Sequence, residues 1–303
     1  MPQPYGNTDS ELISVSLEVP IAKEPFKGGC AMSISFILRM IASAVSGNPV
    51  SARPESINGE IDRAKRRATK RINRAKVRAQ AELGELDRVR ITLMSGDMKK
   101  FTSLFVQIHD VDFHDCDTLN GLEHFNKERK NWKELERLSA KAMSVMTLNG
   151  AMDAMGFGAG VLDQYAMVPE IAGLDIKAAE NHDVEALKDV STRLQEFQQT
   201  VKKMCTRMQD IRREARQAED ALLDLSDYFE DGIEDIRRIQ VASGYDWNKY
   251  SNAQKILIGR TAQIARLIRA LSEIRFLTDE ADLRPEIQEA IEASEELLDE
   301  LGA

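Results

Sequence analysis

The sequence predicts an all-α protein: an elongated helical bundle with long antiparallel coiled-coil hairpins and a short extended N-terminal arm. Three observations favour this fold class. Apolar residues recur at helical spacing along most of the chain, only 6% of the 303 residues are aromatic, and eight are proline. This composition suits a helix-rich chain better than a sandwich or a barrel. The pattern divides the chain into a front region, residues 1–50, and a bundle, residues 51–303.

The front region combines an extended arm with a short amphipathic helix. Apolar and polar side chains alternate from Ile13 to Ile21, which is the period of a strand. A lone strand is not stable by itself, so we expect an arm that packs on the bundle or pairs with a neighbouring subunit. Residues 31–46 read as an amphipathic helix, whose apolar face either packs on the core or lies on a membrane. The membrane-facing candidates are Phe36, Ile37, Met40 and Ile41.

A strongly basic helix is predicted from about Ser56 to Met94. Its apolar positions follow an eleven-residue rhythm and are mostly alanine, so the apolar face is thin. Residues 63–78 contain nine basic residues and no acidic one, and we expect these charges to wrap most of the helix circumference. They are candidates for contact with the phosphates of anionic lipid or nucleic acid, or with acidic helices of the same or an adjacent subunit. The nine residues are Arg63, Lys65, Arg66, Arg67, Lys70, Arg71, Arg74, Lys76 and Arg78.

The next region contains a dense polar cluster. A helix at about 98–108 precedes residues 109–117, in which His109, His114 and Cys116 have side chains of the types that bind zinc. Their spacing matches no standard zinc motif or calcium loop, so the sequence predicts no metal and no cofactor. We expect instead an acidic connection whose Asp residues cap the following helix, predicted from Gly121 to about Leu148, with a metal site as the alternative.

Residues 149–174 are rich in glycine and methionine. Gly156 and Gly160 would allow a close helix approach, but Asp153 and Asp163 would be costly in hydrocarbon. We therefore expect a hinge or the tip of a helical hairpin here. The alternative is a buried tongue that emerges on membrane contact.

The most regular pattern is a seam of thirteen apolar residues, spaced by alternate threes and fours from Leu187 to Phe229. In a chain that is 43% hydrophobic this has a chance probability of about two in 100,000 for one frame. A helix of that length is roughly 65 Å long and exceeds the diameter of a compact globule, roughly 50 Å. We expect it to start after Asp183 and to fade near Gly232. The main seam residues are Leu187, Leu194, Phe197, Val201, Met204, Met208, Ile211, Leu222, Leu225 and Phe229.

The chain ends in two further predicted helices, at about Tyr250–Asp279 and Pro285–Leu301. Residues 279–300 contain ten acidic residues against Arg284 alone, so the net charge of −9 divides into a basic front and an acidic end. Such asymmetry indicates self-association, a membrane surface or nucleic acid as partner.

These features predict a non-enzymatic helical assembly protein that self-associates and contacts anionic membrane surfaces. No catalytic signature or small-molecule site is evident. The alternatives are a soluble coiled-coil adaptor in a larger complex and nucleic-acid binding through residues 63–78. Three widely spaced cysteines and the lack of a basic head before an apolar run predict a cytoplasmic protein, with peripheral membrane contact. In plan the chain resembles filament-forming membrane-remodelling proteins, which also join a short amphipathic helix to a long basic one. It also resembles helical pore-forming toxins, in which an apolar segment lies between long helices.

Overall fold

The computed structural model describes residues 41–42, 56–111, 150–152, 154, 156–171, 173–181 and 183–302. Of these residues 82% are helical and none forms a strand, so the all-α class is confirmed. The predicted arm, most of the amphipathic helix 31–46 and the helix from Gly121 to Leu148 lie outside the described residues. Within the described ranges, no helix combines the length and the hydropathy needed to cross a membrane.

Seven α-helices and one 3₁₀ turn have described bounds, and residues 41–42, 150–152 and 154 are also helical. Two helices, α1 and α5, are much longer than the rest. In chain order the elements are α1 (Ser56–Ser95), α2 (Asp97–Phe105), α3 (Phe157–Tyr165), α4 (Ile176–Glu180), α5 (Val184–Ser243), the 3₁₀ turn (Trp247–Lys249), α6 (Asn252–Glu273) and α7 (Pro285–Leu301).

Helix α5 is longer than the seam alone predicts. Its 60 residues extend about 90 Å. It begins at Asp183, whose carboxylate accepts hydrogen bonds from the backbone N–H groups of Glu185 and Ala186 at 2.9 and 3.3 Å. It ends at Gly244, where φ is 78°, a left-handed conformation that glycine adopts without steric cost.

The expectation that α5 fades near Gly232 is wrong. Gly232 is buried, and the helix continues through it with Ile233, Ile236 and Ile239 also buried. One glycine weakens a helix by only about 1 kcal/mol, which the packing of three isoleucines on the core outweighs. The apolar pattern beyond Phe229 therefore extends the helix to Ser243.

The core forms where other helices cover the apolar side of α5. All thirteen seam residues are buried, none more than 7% exposed. The covering groups come from the same chain: the ring of Phe229 lies 5.4 Å from that of Phe101 in α2. The seam is consequently occupied within one chain, and a partner chain would have to contact another surface.

Helices α1 and α5, which are not consecutive in the chain, run in the same direction. Glu82 of α1 pairs with Arg212 at 2.8 Å, and the carbonyl of Leu104 accepts from Gln240 at 2.7 Å. Farther along, the N–H of His109 donates to the carbonyl of Tyr245 at 2.8 Å. The contacts thus advance along α5 in the same order as along α1, α2 and the residues that follow α2.

Helix α3, which lies between α1 and α5 in the chain, runs antiparallel to α1 and so makes this parallel order possible. The N–H of Gly156 donates to Asp87 at 3.2 Å, and Asp163 pairs with Lys76 at 3.1 Å, so α3 runs back along α1.

Helix α6 runs antiparallel to α5. Gln254 of α6 forms a hydrogen bond with Ser243 of α5, and Thr261 packs against Gly232.

Candidate functional site: the basic face of α1

The buried side of α1 determines which of its charges reach solvent. Seven of the eight apolar residues in the eleven-residue rhythm are at most 7% exposed, as is Ile57 one turn earlier, whereas Ala75 of the rhythm is half-buried. Small alanine side chains allow neighbouring backbones to approach closely, so most of a thin apolar face is covered. The buried residues are Ile57, Ile61, Ala64, Ala68, Ile72, Ala79, Leu83 and Leu86.

Most of the predicted basic residues share the opposite side. At 3.6 residues per turn, seven of the nine fall within an arc of about 140°, while Lys65 and Lys76 lie on the other flank. All nine together span about 240° of the circumference and leave free only the side that carries the buried alanines. We call the seven residues the basic face: Arg63, Arg66, Arg67, Lys70, Arg71, Arg74 and Arg78.

Some of the nine cations have partners in the chain. Arg63 pairs with Glu60 at 3.0 Å and Lys76 with Asp163 at 3.1 Å. The hydrogen bond from Lys76, with a second from Gln80, lowers the pKa of the Asp163 carboxyl. Lys76 therefore links α3 to α1.

Five exposed cations of the basic face form no ion pair with any residue that the structure describes: Arg66, Arg67, Lys70, Arg74 and Arg78. Val77, which is 60% exposed, lies among them. Together with Lys70, Asn73, Arg74 and Arg78 it lines a shallow depression. The basic face is thus a linear, cationic surface with an apolar side chain inside it.

The acidic stretch of α5, residues 219–235, lies too far along this helix to neutralise the basic face. Its start is next to Glu82 and Glu85, and Glu230 is near Lys100. The middle of the acidic stretch is therefore displaced from the middle of the basic face by about 20 residues, or roughly 30 Å. Partial burial, then the charges of Glu82 and Asp220, raise the pKa of Glu219, which marks a locally acidic environment.

The other predicted sites fall at different places. Ile41 is half-buried and packs against the core, while Phe36, Ile37 and Met40 lie outside the described residues. His109 is exposed, and its backbone N–H and carbonyl bond to the loop that joins α5 and α6. His114 and Cys116 are also outside the described ranges, so a metal at this cluster is untested.

Sequence reasoning missed Arg90. It is 1% exposed and reaches Asp87 and the carbonyl of Ile274, both at 3.4 Å, with its guanidinium 6.0 Å from the ring centre of Phe276. Burial lowers the pKa of Arg90, although Asp87 opposes this effect. The available signal was its position: residue 90 lies seven after Leu83 and four after Leu86, on the buried side. Arg90 ties α1 to the end of α6.

Comparison with protein-family models, curated proteins and solved structures finds no match for this chain. The charge and geometry of the basic face are therefore the features from which a function can be inferred.

Proposed function

We propose that the protein is a non-enzymatic helical assembly protein that self-associates and contacts anionic membrane surfaces through the basic face of α1. The observation that supports this most is the row of five exposed cations without ion pairs in the described chain. Residues 63–78 extend about 23 Å along one helix, so the cations form a line suited to a surface rather than a pocket. Near an anionic membrane each cation contributes about 1 kcal/mol.

The composition of the basic face favours lipid over nucleic acid. No aromatic residue occurs between residues 58 and 100, so α1 offers no ring on which unpaired bases could stack. Val77 instead provides an exposed aliphatic side chain among the cations, which suits the boundary between headgroups and acyl chains. A peripheral location at the cytoplasmic side of a membrane is part of this proposal.

The burial of the seam argues against the adaptor alternative in its simplest form. That alternative needs an apolar seam that a partner helix covers, whereas α5 packs its seam on helices of its own chain. We propose instead that α5 and α6 form a coiled-coil hairpin that stiffens the rod. Self-association then depends on charged surfaces.

Vesicle flotation tests the proposal. The protein should float at low salt with vesicles that contain phosphatidylserine, stay in the soluble fraction with pure phosphatidylcholine, and dissociate at high salt because screening weakens the attraction. The quadruple variant Arg66→Gln, Arg67→Gln, Lys70→Gln and Arg74→Gln removes four cations and should lose about 4 kcal/mol of attraction, at about 1 kcal/mol each.

A matched control removes the same charge elsewhere. Arg88, Arg213, Arg216 and Arg238 are exposed and lie outside the basic face, so their change to glutamine should leave flotation nearly intact. Equal flotation of both quadruple variants, or none by the unaltered protein, would overturn the proposal. Salt-sensitive retention of DNA or RNA without flotation would favour the nucleic-acid alternative.

A further inference from the structure

Helix α7 presents a rigid acidic surface. Its residues Ile287, Ile291, Leu297 and Leu298 are buried, which holds the helix on the bundle against α5 and α6. Its seven acidic side chains are all exposed, and residues 285–301 contain no basic residue. We call these seven the acidic face: Glu286, Glu289, Glu292, Glu295, Glu296, Asp299 and Glu300.

The acidic face lacks cationic partners in the described chain. Its one recorded side-chain hydrogen bond joins Glu292 to Gln288 at 3.2 Å, and no member forms an ion pair with a residue that the structure places. The acidic face is thus as little neutralised as the five exposed cations of α1. Two charged surfaces of opposite sign are left to solvent on the same molecule.

The two surfaces match in length and are opposite in charge. Residues 286–300 extend about 21 Å and residues 63–78 about 23 Å, with seven acidic side chains on the one face and, on the other, the five cations that form no ion pair in the described chain. Both are straight α-helical surfaces of similar length, so the two faces can lie side by side over most of that length. Helices packed side by side at 8–10 Å would bring the ends of these long side chains to within ion-pair distance.

The two faces do not meet within one chain. Helix α7 is fixed on α5 and α6, and among the placed residues no ion pair joins it to α1. A second copy supplies the same acidic face without that constraint. We propose that, away from membranes, the basic face of one copy is occupied by the acidic face of α7 of a second copy.

This contact is heterologous, because two different surfaces meet. Every added copy leaves one basic face and one acidic face free, so the contact propagates into a chain of copies or closes a ring. Exposed ion pairs are individually weak and are screened by salt, so the contact is reversible. The inference rests on the proposed function in one respect: an anionic membrane competes with α7 for the same basic face.

Charge reversal tests the contact in the absence of lipid. Light scattering of the unaltered protein should show association at low salt and monomer at high salt. The α7 variant, Glu289→Lys, Glu292→Lys and Glu296→Lys, and the α1 variant, Arg67→Glu, Lys70→Glu and Arg74→Glu, should each be monomeric because like charges then face each other.

An equimolar mixture of the two variants should associate again, since each lysine-bearing α7 meets a glutamate-bearing α1 and the other faces keep their original signs. Far-UV circular dichroism and thermal melting check that both variants fold like the unaltered protein. A monomeric unaltered protein at low salt would overturn the inference. So would failure of the folded variants to associate when mixed.

Flotation separates this inference from the proposed function. The α7 variant keeps its basic face and should float with phosphatidylserine vesicles at least as well as the unaltered protein, whereas the α1 variant should not float. If no form floats but the mixture associates, the membrane proposal fails and the contact between copies stands. If the unaltered protein floats but never associates, the contact fails and the membrane proposal stands.

Discussion

Replacing Gly232 with alanine should destabilise the protein, although alanine is the better helix former. Gly232 is buried in the middle of α5 and faces Thr261 of α6. A Cβ atom there would overlap the Thr261 side chain, with Cγ2 at only 2.8 Å. Thr261 is 2% exposed and its hydroxyl donates to the carbonyl of Leu257 at 2.9 Å, so it has little room to move away.

The expected size follows from two opposing effects. Overpacking of a tight core costs about 1–3 kcal/mol. Replacing glycine with alanine inside a helix stabilises the helix by about 1 kcal/mol. The net loss in the free energy of unfolding should therefore be about 1 kcal/mol.

A second glycine supplies the matched control. Gly84 is also inside a long helix, but a Cβ added there would meet no atom within 4 Å. Gly84→Ala should therefore stabilise the protein by about 1 kcal/mol, which leaves about 2 kcal/mol between the two variants. Urea denaturation followed by far-UV circular dichroism measures both.

A double variant tests whether the contact with Thr261 is the cause. Thr261→Ala removes the overlapping atoms, so Gly232→Ala should cost less in that background than alone. If Gly232→Ala stabilises the protein as much as Gly84→Ala does, the close crossing of α5 and α6 is refuted.

Two further predictions concern the caps and charges of α5. Asp183→Ala removes the N-terminal cap and should lower the free energy of unfolding by about 1 kcal/mol. The control Asp189→Ala breaks one exposed ion pair with Arg193 and should lower it by less than about half of that. Equal losses of the two variants in urea denaturation would contradict the assigned cap. Glu219→Gln should raise the melting temperature at neutral pH, because partial burial and the charge of Glu82 raise the pKa of Glu219 and so disfavour its charged form in the folded protein. The folded-state pKa lies above the unfolded one, so the gain should shrink as the pH falls through the raised pKa, where Glu219 itself becomes neutral. Melting curves over a pH series check this, and a gain that grows toward acid pH would contradict it.

Local signals in the sequence predict several helix boundaries closely. Helix α7 begins at Pro285 and ends at Leu301 as predicted, since proline is favoured in the first turn and Gly302 follows with φ of 84°. Helix α1 ends at Ser95, one residue beyond the prediction. The spacing by alternate steps of three and four residues likewise identifies all thirteen buried seam residues of α5. These features depend on neighbours within a few turns, which the sequence contains directly.

Long-range features are harder to predict. The parallel order of α1 and α5 depends on helix α3, which runs back along α1. Helix α3 contacts α1 through the pair Asp163–Lys76 and through the N–H of Gly156, which donates to Asp87. These partners are about 70 to 90 residues apart in sequence, and no local pattern connects them. The burial of Arg90 was missed for a related reason, since arginine is usually exposed and its partners come partly from α6.

The candidate site could be predicted in composition and in its shared face, but not in its neutralisation. The nine cations of residues 63–78 are evident in the sequence, and 3.6 residues per turn place seven of them on one side of the helix. Which of them lack partners depends on the axial offset from the acidic stretch of α5. This offset follows only when the helices are packed.

The most direct test determines which surface of the protein contacts the membrane. A fluorophore at Val77→Cys reports on the basic face, and one at Val241→Cys, an 85% exposed position near the end of α5, is the control. Cys30 and Cys116 are changed to serine, while Cys205 is buried. On phosphatidylserine vesicles the label at position 77 should become protected from an aqueous quencher, and the label at position 241 should stay accessible. Equal accessibility of both labels on vesicle-bound protein would contradict contact through the basic face.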